Sequence, residues 1–557
     1  MLGSALPACF LVGAAWAGND GPFAGPAPTA VAEPAPPGVQ APQPQAAVAG
    51  VLAARLAGAG ETLLVAGQTL PGAALRDSYA PAGFDPVWTG DTGLRPAGAA
   101  LIAQLQAARA AGMTMFDPLL SAIAAHERAA TPEEIGDLEL LLSGAMIAVA
   151  DGLDDLPPSA LLAGARQPDP RGFIAAHVPG SFYYWRLRAA LPLYRGYVAA
   201  GGWPAVPSGP KLEKGMTDPR VAALRWRLLA TGELAASGAD PQLFDDALEA
   251  ALRRFQARHG LDPDGKVGPQ TLAALNVPAE ERLASILLNL DRFRRLSPAM
   301  AGRYLYVNIA GMELSLVEQG QVTFHNRVIV GRVDRKTPLL QSVIRRIDFN
   351  PTWVVPPKIA RIDMLNHLRQ DPGYFRSHNV RVYDGWSADA HEIDPDSINW
   401  SQYGPGNMPY VLRQDPGPEN ALGPLKFDFA NDYEVYIHGT PVQSLFNLPS
   451  RALSSGCVRM EQPVELAAYL LRDNKSWPRS RIDEVVRRAT TISVAIDPLP
   501  VMLTYQTAWA DADGTVEFRP DIYGLDDEAR FLSAAGAAPA APGGGPPAGP
   551  GTSARKG

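Results

Sequence analysis

Cys457 lies in the run Ser454-Ser455-Gly456-Cys457-Val458-Arg459, and His438 stands 19 residues upstream in Val435-Tyr436-Ile437-His438-Gly439-Thr440-Pro441. A thiol attacks a carbonyl carbon as its thiolate, and an ordinary pKa of about 8.5 leaves only a small fraction ionised at neutral pH. An imidazole, with an ordinary pKa of about 6.5, can take that proton and pass it to a leaving amine. The two residue types together point to acyl transfer through a thioester. Arg459 sits two residues past the cysteine, on the same face of an extended chain, where a cation favours a nearby anion. Gly456 leaves no Cβ in the way of a developing oxyanion, so the backbone at Gly456 is expected to help form an oxyanion hole. Thr440-Pro441 turns the chain after His438, which puts the histidine at a strand end.

Three competing chemistries fare worse. Asp389-Ala390-His391-Glu392 is the one dense cluster of histidine and carboxylates, and no His-Glu-x-x-His occurs, so neither a metal nor a cofactor is expected. A papain-like arrangement needs the cysteine before the histidine, and here the order is reversed. A net charge of -8 and the lack of a long basic run argue against nucleic acid as a partner.

The second of the two cysteines, Cys9, falls in an apolar stretch that ends Ala15-Trp16-Ala17. Residues 1–17 therefore read as an export signal, although no Lys or Arg precedes Arg55. Its removal would leave Cys457 as the lone thiol of an exported, periplasmic, wall-associated protein, where an unpaired cysteine calls for a reactive role. If retained, the leader would be a short membrane anchor. No later run reaches the roughly 20 apolar residues that span a bilayer.

These residues need a scaffold to position them, and the chain is long enough for several folded units. The expected fold is multi-domain α+β. Residues 18–48, rich in Ala, Pro and Gly, read as a linker. Residues 49–210 read as a helical scaffold, with helical spacing in Leu101–Ala108 and a helix start at Thr131-Pro132-Glu133-Glu134. His126 and His177 are isolated there and read as ordinary packing or surface residues. Residues 218–277 show two amphipathic helices (Val221, Leu224, Leu228; Leu248, Leu252, Phe255) and a short closing helix around turn glycines. From residue 303 to 498 the period changes to that of strands. Strands are expected at 304–309, 313–318, 323–330, 342–348, 434–438 and 490–496, and a helix opens at Gln462-Pro463. Residues 360–421 form an insertion with many aromatic and turn residues, read as a lid over the pocket. Residues 499–527 read as closing strands, and 533–557 as a disordered tail.

At the catalytic run the sequence resembles the bacterial L,D-transpeptidases of the YkuD type. The commoner form of that family has histidine immediately before Gly-Cys. Ser455 takes that place here, which is similar to the large YcbB-like subgroup. Asn350-Pro351-Thr352-Trp353-Val354-Val355-Pro356, Pro416-Gly417-Pro418-Glu419-Asn420-Ala421-Leu422-Gly423 with Lys426-Phe427, and Tyr505-Gln506-Thr507-Ala508-Trp509 also look like that subgroup. The pattern Phe255-Gln256, His259-Gly260-Leu261, Asp264-Gly265, Thr271, Leu275-Asn276 resembles a peptidoglycan-binding domain. The resemblance implies that Cys457 is the nucleophile and His438 the general base, with Tyr436, Ser454, Ser455, Arg459 and Trp353 binding substrate. It implies peptidoglycan stem peptides and glycan as partners, loss of D-Ala from a tetrapeptide donor, a cysteinyl thioester and 3→3 cross-links. Water or a protein amine as acceptor would make a carboxypeptidase or a protein-to-wall ligase, and an inactive site would leave a wall-binding scaffold. Carbapenems acylate this cysteine in the family, so the chain is an expected target.

Overall fold

The computed structural model describes residues 44–527 apart from 91–92, 111–113, 151–155, 179, 237, 297–298, 301, 372 and 388. The expected export signal with Cys9, residues 18–43 of the expected linker and the tail at 533–557 lie outside the described residues. Among the described residues no helix is long and apolar enough to cross a membrane.

The centre of the molecule is a closed sheet. Starting from Gln321–Gly331 it runs through Val458–Met460, Ile437–His438, Leu425–Phe429, Leu340–Phe349, Ile492–Thr504, Arg303–Asn308 and Glu313–Glu318, which pairs back to Gln321–Gly331. Closure leaves no open edge in this ring of strands. The short strand Ala452–Ser454 pairs parallel outside the ring, against Gln321–Gly331. Alternation sorts the side chains of the first strand: Leu305 and Val307 enter the barrel core, while Tyr304 and Tyr306 face the helical scaffold. Both faces of this strand are therefore covered, which is why it reads as an almost continuous apolar run.

Two expected boundaries move. The strand expected at 490–496 is one strand with the residues that follow, Ile492–Thr504, so the division drawn at 498/499 falls inside it. Pro498 and Pro500 suggest a break, but the strand accommodates this stretch through a bulge between Ala495 and Leu499. The strand expected at 434–438 shrinks to Ile437–His438, because the Asn431 side chain bonds both the carbonyl and the N–H of Val435 and holds 431–435 in a turn.

The scaffold is helical, as its periodicity implies. Its first helix starts at Pro44, inside the segment read as linker. Proline is tolerated in a first turn and alanine favours helix, so Pro44–Ala57 can form, and Val48, Leu52 and Leu56 bury against the scaffold core. His126 and His177 each bond by Nδ1 to the backbone carbonyl four residues earlier. The helix Ala279–Leu296 was not expected from the sequence. Its Ile286, Leu290 and Phe293 join the scaffold core. Its Asn289 exchanges two hydrogen bonds with Thr507, and Arg292 pairs with Asp526 at 2.7 Å.

The small unit has its own core of Val221, Leu224, Leu228, Leu248, Leu252, Phe255 and Leu275. Its motif residues are internal ties. The Gln256 amide donates to Asp264, to the Lys266 carbonyl and to Thr271, and accepts from the Gly265 N–H. Residues 353–414 form another self-contained piece. Trp353–Val354, Val411–Gln414, Val380–Tyr383 and Glu392–Ile393 make a four-stranded sheet over a core that includes Leu368, Phe375, Val382 and Trp400. The insertion thus begins at Trp353 in the fold, a few residues before the 360 expected from the sequence. The cause is that Trp353–Val354 pairs with Val411–Gln414 within the insertion's own sheet.

Glu139 tests the packing of the scaffold. It is fully buried and accepts from the N–H groups of Val87, Trp88 and Thr89 and the hydroxyls of Tyr79 and Thr89. Glu139→Gln turns one acceptor into a donor facing donors. The expected loss is about 2 kcal/mol, read as a lower midpoint in denaturant unfolding of the full chain. An unchanged midpoint would refute it.

Candidate active site

The strands Ile437–His438 and Val458–Met460 lie side by side and parallel, with Ile437 opposite Val458 and His438 opposite Arg459. Ile437 and Val458 are fully buried in the barrel core. By alternation Tyr436, His438, Cys457 and Arg459 project from the other face. Beyond the histidine, the antiparallel strand Leu425–Phe429 buries Leu425, Phe427 and Phe429 and presents Lys426 opposite His438. The next strand puts Asp348 opposite Lys426. A polar row of Asp348, Lys426, His438 and Arg459 therefore crosses the sheet, with Tyr436 and Cys457 beside it.

The thiol is half-buried and unpaired. Tyr436, Arg459 and Lys426 are the groups that act on it. The Tyr436 ring meets His438 edge-on at 5.5 Å and carries the Lys426 ammonium 4.3 Å from its centroid. Trp353, from the first strand of the insertion, reaches the Tyr436 hydroxyl with its side chain. Cys457, His438, Tyr436, Arg459 and Trp353 are thus brought to one place.

Burial dominates the electrostatics of this group. Loss of water pushes the Cys457 thiol above its ordinary value, against the pull of the Tyr436 backbone, Arg459 and Lys426. Burial, with Arg459 and Lys426 adding to it, brings His438 down to about 3, while the backbone of Gly439 and Leu422 pulls weakly the other way. His438 Nδ1 is buried with no hydrogen-bond partner among the described residues. Both shifts favour the neutral thiol and the neutral imidazole, and a lowered histidine is a poorer base than an unperturbed one.

The segment before the cysteine corrects two expectations. The Gly456 N–H donates to the Ser454 hydroxyl at 3.1 Å, so it is already committed and cannot point at an oxyanion. The Ser454 hydroxyl donates in turn to the Cys457 carbonyl at 2.6 Å, and Ser454 is buried, so its side chain is a turn brace and no substrate contact. The glycine serves by its conformation: φ is +122° at Gly456, which L side chains rarely adopt. Ser455 is exposed and accepts from Arg335 at 2.9 Å.

Sequence reasoning missed the residues that hold this turn. Thr337 donates to the Gly456 carbonyl at 2.8 Å and accepts from the Gly331 N–H. Arg335 bridges Ser455 to Asp363 at the base of the insertion, with a bond of 3.0 Å to Asp363. On the histidine side, Gly423 packs so closely that a Cβ there would meet the Thr440 nitrogen at 2.6 Å. Lys426 was the one legible omission, since Leu-Lys-Phe-Asp-Phe alternates and marks Lys426 and Asp428 as a shared polar face.

Comparison with known proteins assigns the region. Residues 302–492 match the family model of the L,D-transpeptidase catalytic domain (YkuD), 217–275 that described as "Putative peptidoglycan binding domain", and 73–156 that of a scaffold domain. Residues 302–492 are thus identified as an L,D-transpeptidase catalytic domain, in a chain that also matches a peptidoglycan-binding and a scaffold domain. A Haemophilus influenzae protein described as a "Putative L,D-transpeptidase" is 36% identical over 242 residues, which is 43% of this chain. The chain spans about half the length of that curated relative, 48%. A crystal structure of the L,D-transpeptidase of Xylanimonas cellulosilytica aligns at 19% identity over 54% of this chain and 99% of its own, with a TM-score of 0.17. One from Stackebrandtia nassauensis aligns at 14% over 54% and 96%, with a TM-score of 0.21. At scores this low the assignment rests on the family models.

The neutral thiol–imidazole pair has a measurable signature. His438 stays uncharged above about pH 3, and Cys457 stays protonated until above the ordinary thiol range. Alkylation of Cys457 by iodoacetamide should rise with pH through one ionisation above that of a free thiol. A thiolate–imidazolium pair would instead give a reactive plateau between about pH 5 and 8, and its appearance would overturn this account.

Proposed function

We propose that the protein is a cysteine-dependent acyltransferase that forms 3→3 cross-links in peptidoglycan, acting in the periplasm after export. The observation that carries this reading is the shared face of Tyr436, His438, Cys457 and Arg459 on two adjacent parallel strands, inside the segment matched by the L,D-transpeptidase catalytic domain. The candidate donor is a stem tetrapeptide. Cys457 sulfur attacks the carbonyl of the third residue while His438 accepts the thiol proton. The carbonyl π bond opens to an oxyanion, for which the Cys457 N–H is a candidate donor once the Gly456 N–H is discounted. The C–N bond then breaks, and D-Ala leaves with the proton carried by His438. A primary amine on a second stem attacks the thioester, the C–S bond breaks, and the amine's proton returns the cysteine to its thiol.

The small unit at 217–275 would hold the same polymer, peptidoglycan glycan, beside the acyl site. Its match to a peptidoglycan-binding model supports that reading.

Purified protein given disaccharide-tetrapeptides should produce a dimer lacking one D-Ala, read by mass. Cys457→Ala should lower the rate by about ten-thousand-fold, and His438→Ala by about a hundred-fold or more. Tripeptide alone would assign a carboxypeptidase, and full activity in Cys457→Ala would refute the mechanism.

A further inference from the structure

Arg459 has an unusual setting for an arginine at a reacting centre. Its Nε is buried with no hydrogen-bond partner, and among the described residues no carboxylate pairs with it. The titratable group that acts on it is the Cys457 thiol. Across His438 in the same row lies Lys426. Its ammonium has one ion-pair partner among the described residues, Asp428 at 3.0 Å, and sits over the Tyr436 ring. Asp428 is shared with Arg346 at 2.6 Å, and Arg346 also reaches Asp348 at 3.3 Å, the residue opposite Lys426. Arg346, Lys426 and Arg459 thus face two carboxylates, and the unbalanced cation lies on the side of the thiol. A half-buried guanidinium with open donors is incomplete until an anion arrives, and a planar carboxylate matches its fork.

We infer that Lys426 and Arg459 form a carboxylate subsite flanking His438, which makes a free carboxylate next to the scissile amide a requirement for the acyl donor. The inference deepens the acyltransferase reading and rests on it for the identity of the donor. Two carboxylates could fill the subsite: the C-terminal one of the leaving residue, or a side-chain one on the third residue where the stem carries it. Lys426 and Arg459 are then specificity-determining residues, selecting the end of the stem by charge.

Alkylation of Cys457 in the full-length protein tests the subsite without any peptide. The ratio of the iodoacetate rate to the iodoacetamide rate, divided by the same ratio for glutathione in the same buffer, should be about tenfold, because a cationic site concentrates the anionic reagent. It should fall towards one in about 1 M salt and in each of Lys426→Met and Arg459→Gln. A wild-type ratio equal to that of glutathione overturns the subsite. In the donor assay, amidating the C-terminal carboxylate or the third-residue side chain should cut kcat/KM about tenfold or more for whichever carboxylate is read. Equal kcat/KM for the free and both amidated donors overturns the subsite while leaving the acyltransferase reading intact. No product from any donor, with the alkylation preference retained, refutes the acyltransferase reading and supports the subsite.

Discussion

The site depends on one short parallel pairing. Two residue pairs, Ile437 with Val458 and His438 with Arg459, join the two segments and align the groups that act on the thiol. Parallel pairing needs a crossover, and here it is a short one that holds a 3-10 helix at Gln443–Asn447 and the strand Ala452–Ser454. Two pairs cannot hold a strand by hydrogen bonding alone. The pairing is fixed by burial of Ile437 and Val458 in the barrel and by neighbours on both sides, Leu425–Phe429 and Gln321–Gly331. A slip of one residue would turn Cys457 and His438 inward and Val458 outward, so the apolar core enforces the register of the chemistry.

That register carries an electrostatic consequence. It places two cations beside the histidine, in a setting where water is scarce. The same cations that would favour a thiolate disfavour an imidazolium, and desolvation opposes both ions. Neutral thiol and neutral imidazole are the outcome. The ionisation of Cys457 is thereby sensitive to whatever enters the site, because an added charge or dipole changes the balance that burial sets.

Legibility followed chain distance. Cys457 and His438 were readable because a lone thiol and a histidine at a strand end are rare residue types in a short window. Period-2 alternation located most barrel strands and could have given Lys426. The nucleophile turn was misread because its hydrogen bonds are closed locally: a serine two residues ahead captures the glycine N–H, and no spacing rule distinguishes that from a free donor. Thr337, Arg335 and Asp363 were out of reach, since they meet the turn only through tertiary contact across about a hundred residues. The division drawn at 498/499 failed for a different reason, because one strand runs through it across a bulge between Ala495 and Leu499.

The remaining architecture turns on how the small unit meets the barrel. Arg258 donates to the Val516 carbonyl at 3.3 Å, and Arg519 donates back to the Arg258 carbonyl at 3.2 Å. His259 stacks between Phe255 at 3.8 Å and Phe518 at 5.6 Å, and the Arg282 guanidinium lies 4.6 Å from the Phe518 ring. Burial and the adjacent Arg258, Arg282 and Arg227 hold His259 well below the ordinary histidine range, so the stack is uncharged. Contacts from the end of one helix and from the hairpin that follows the last barrel strand thus lock together.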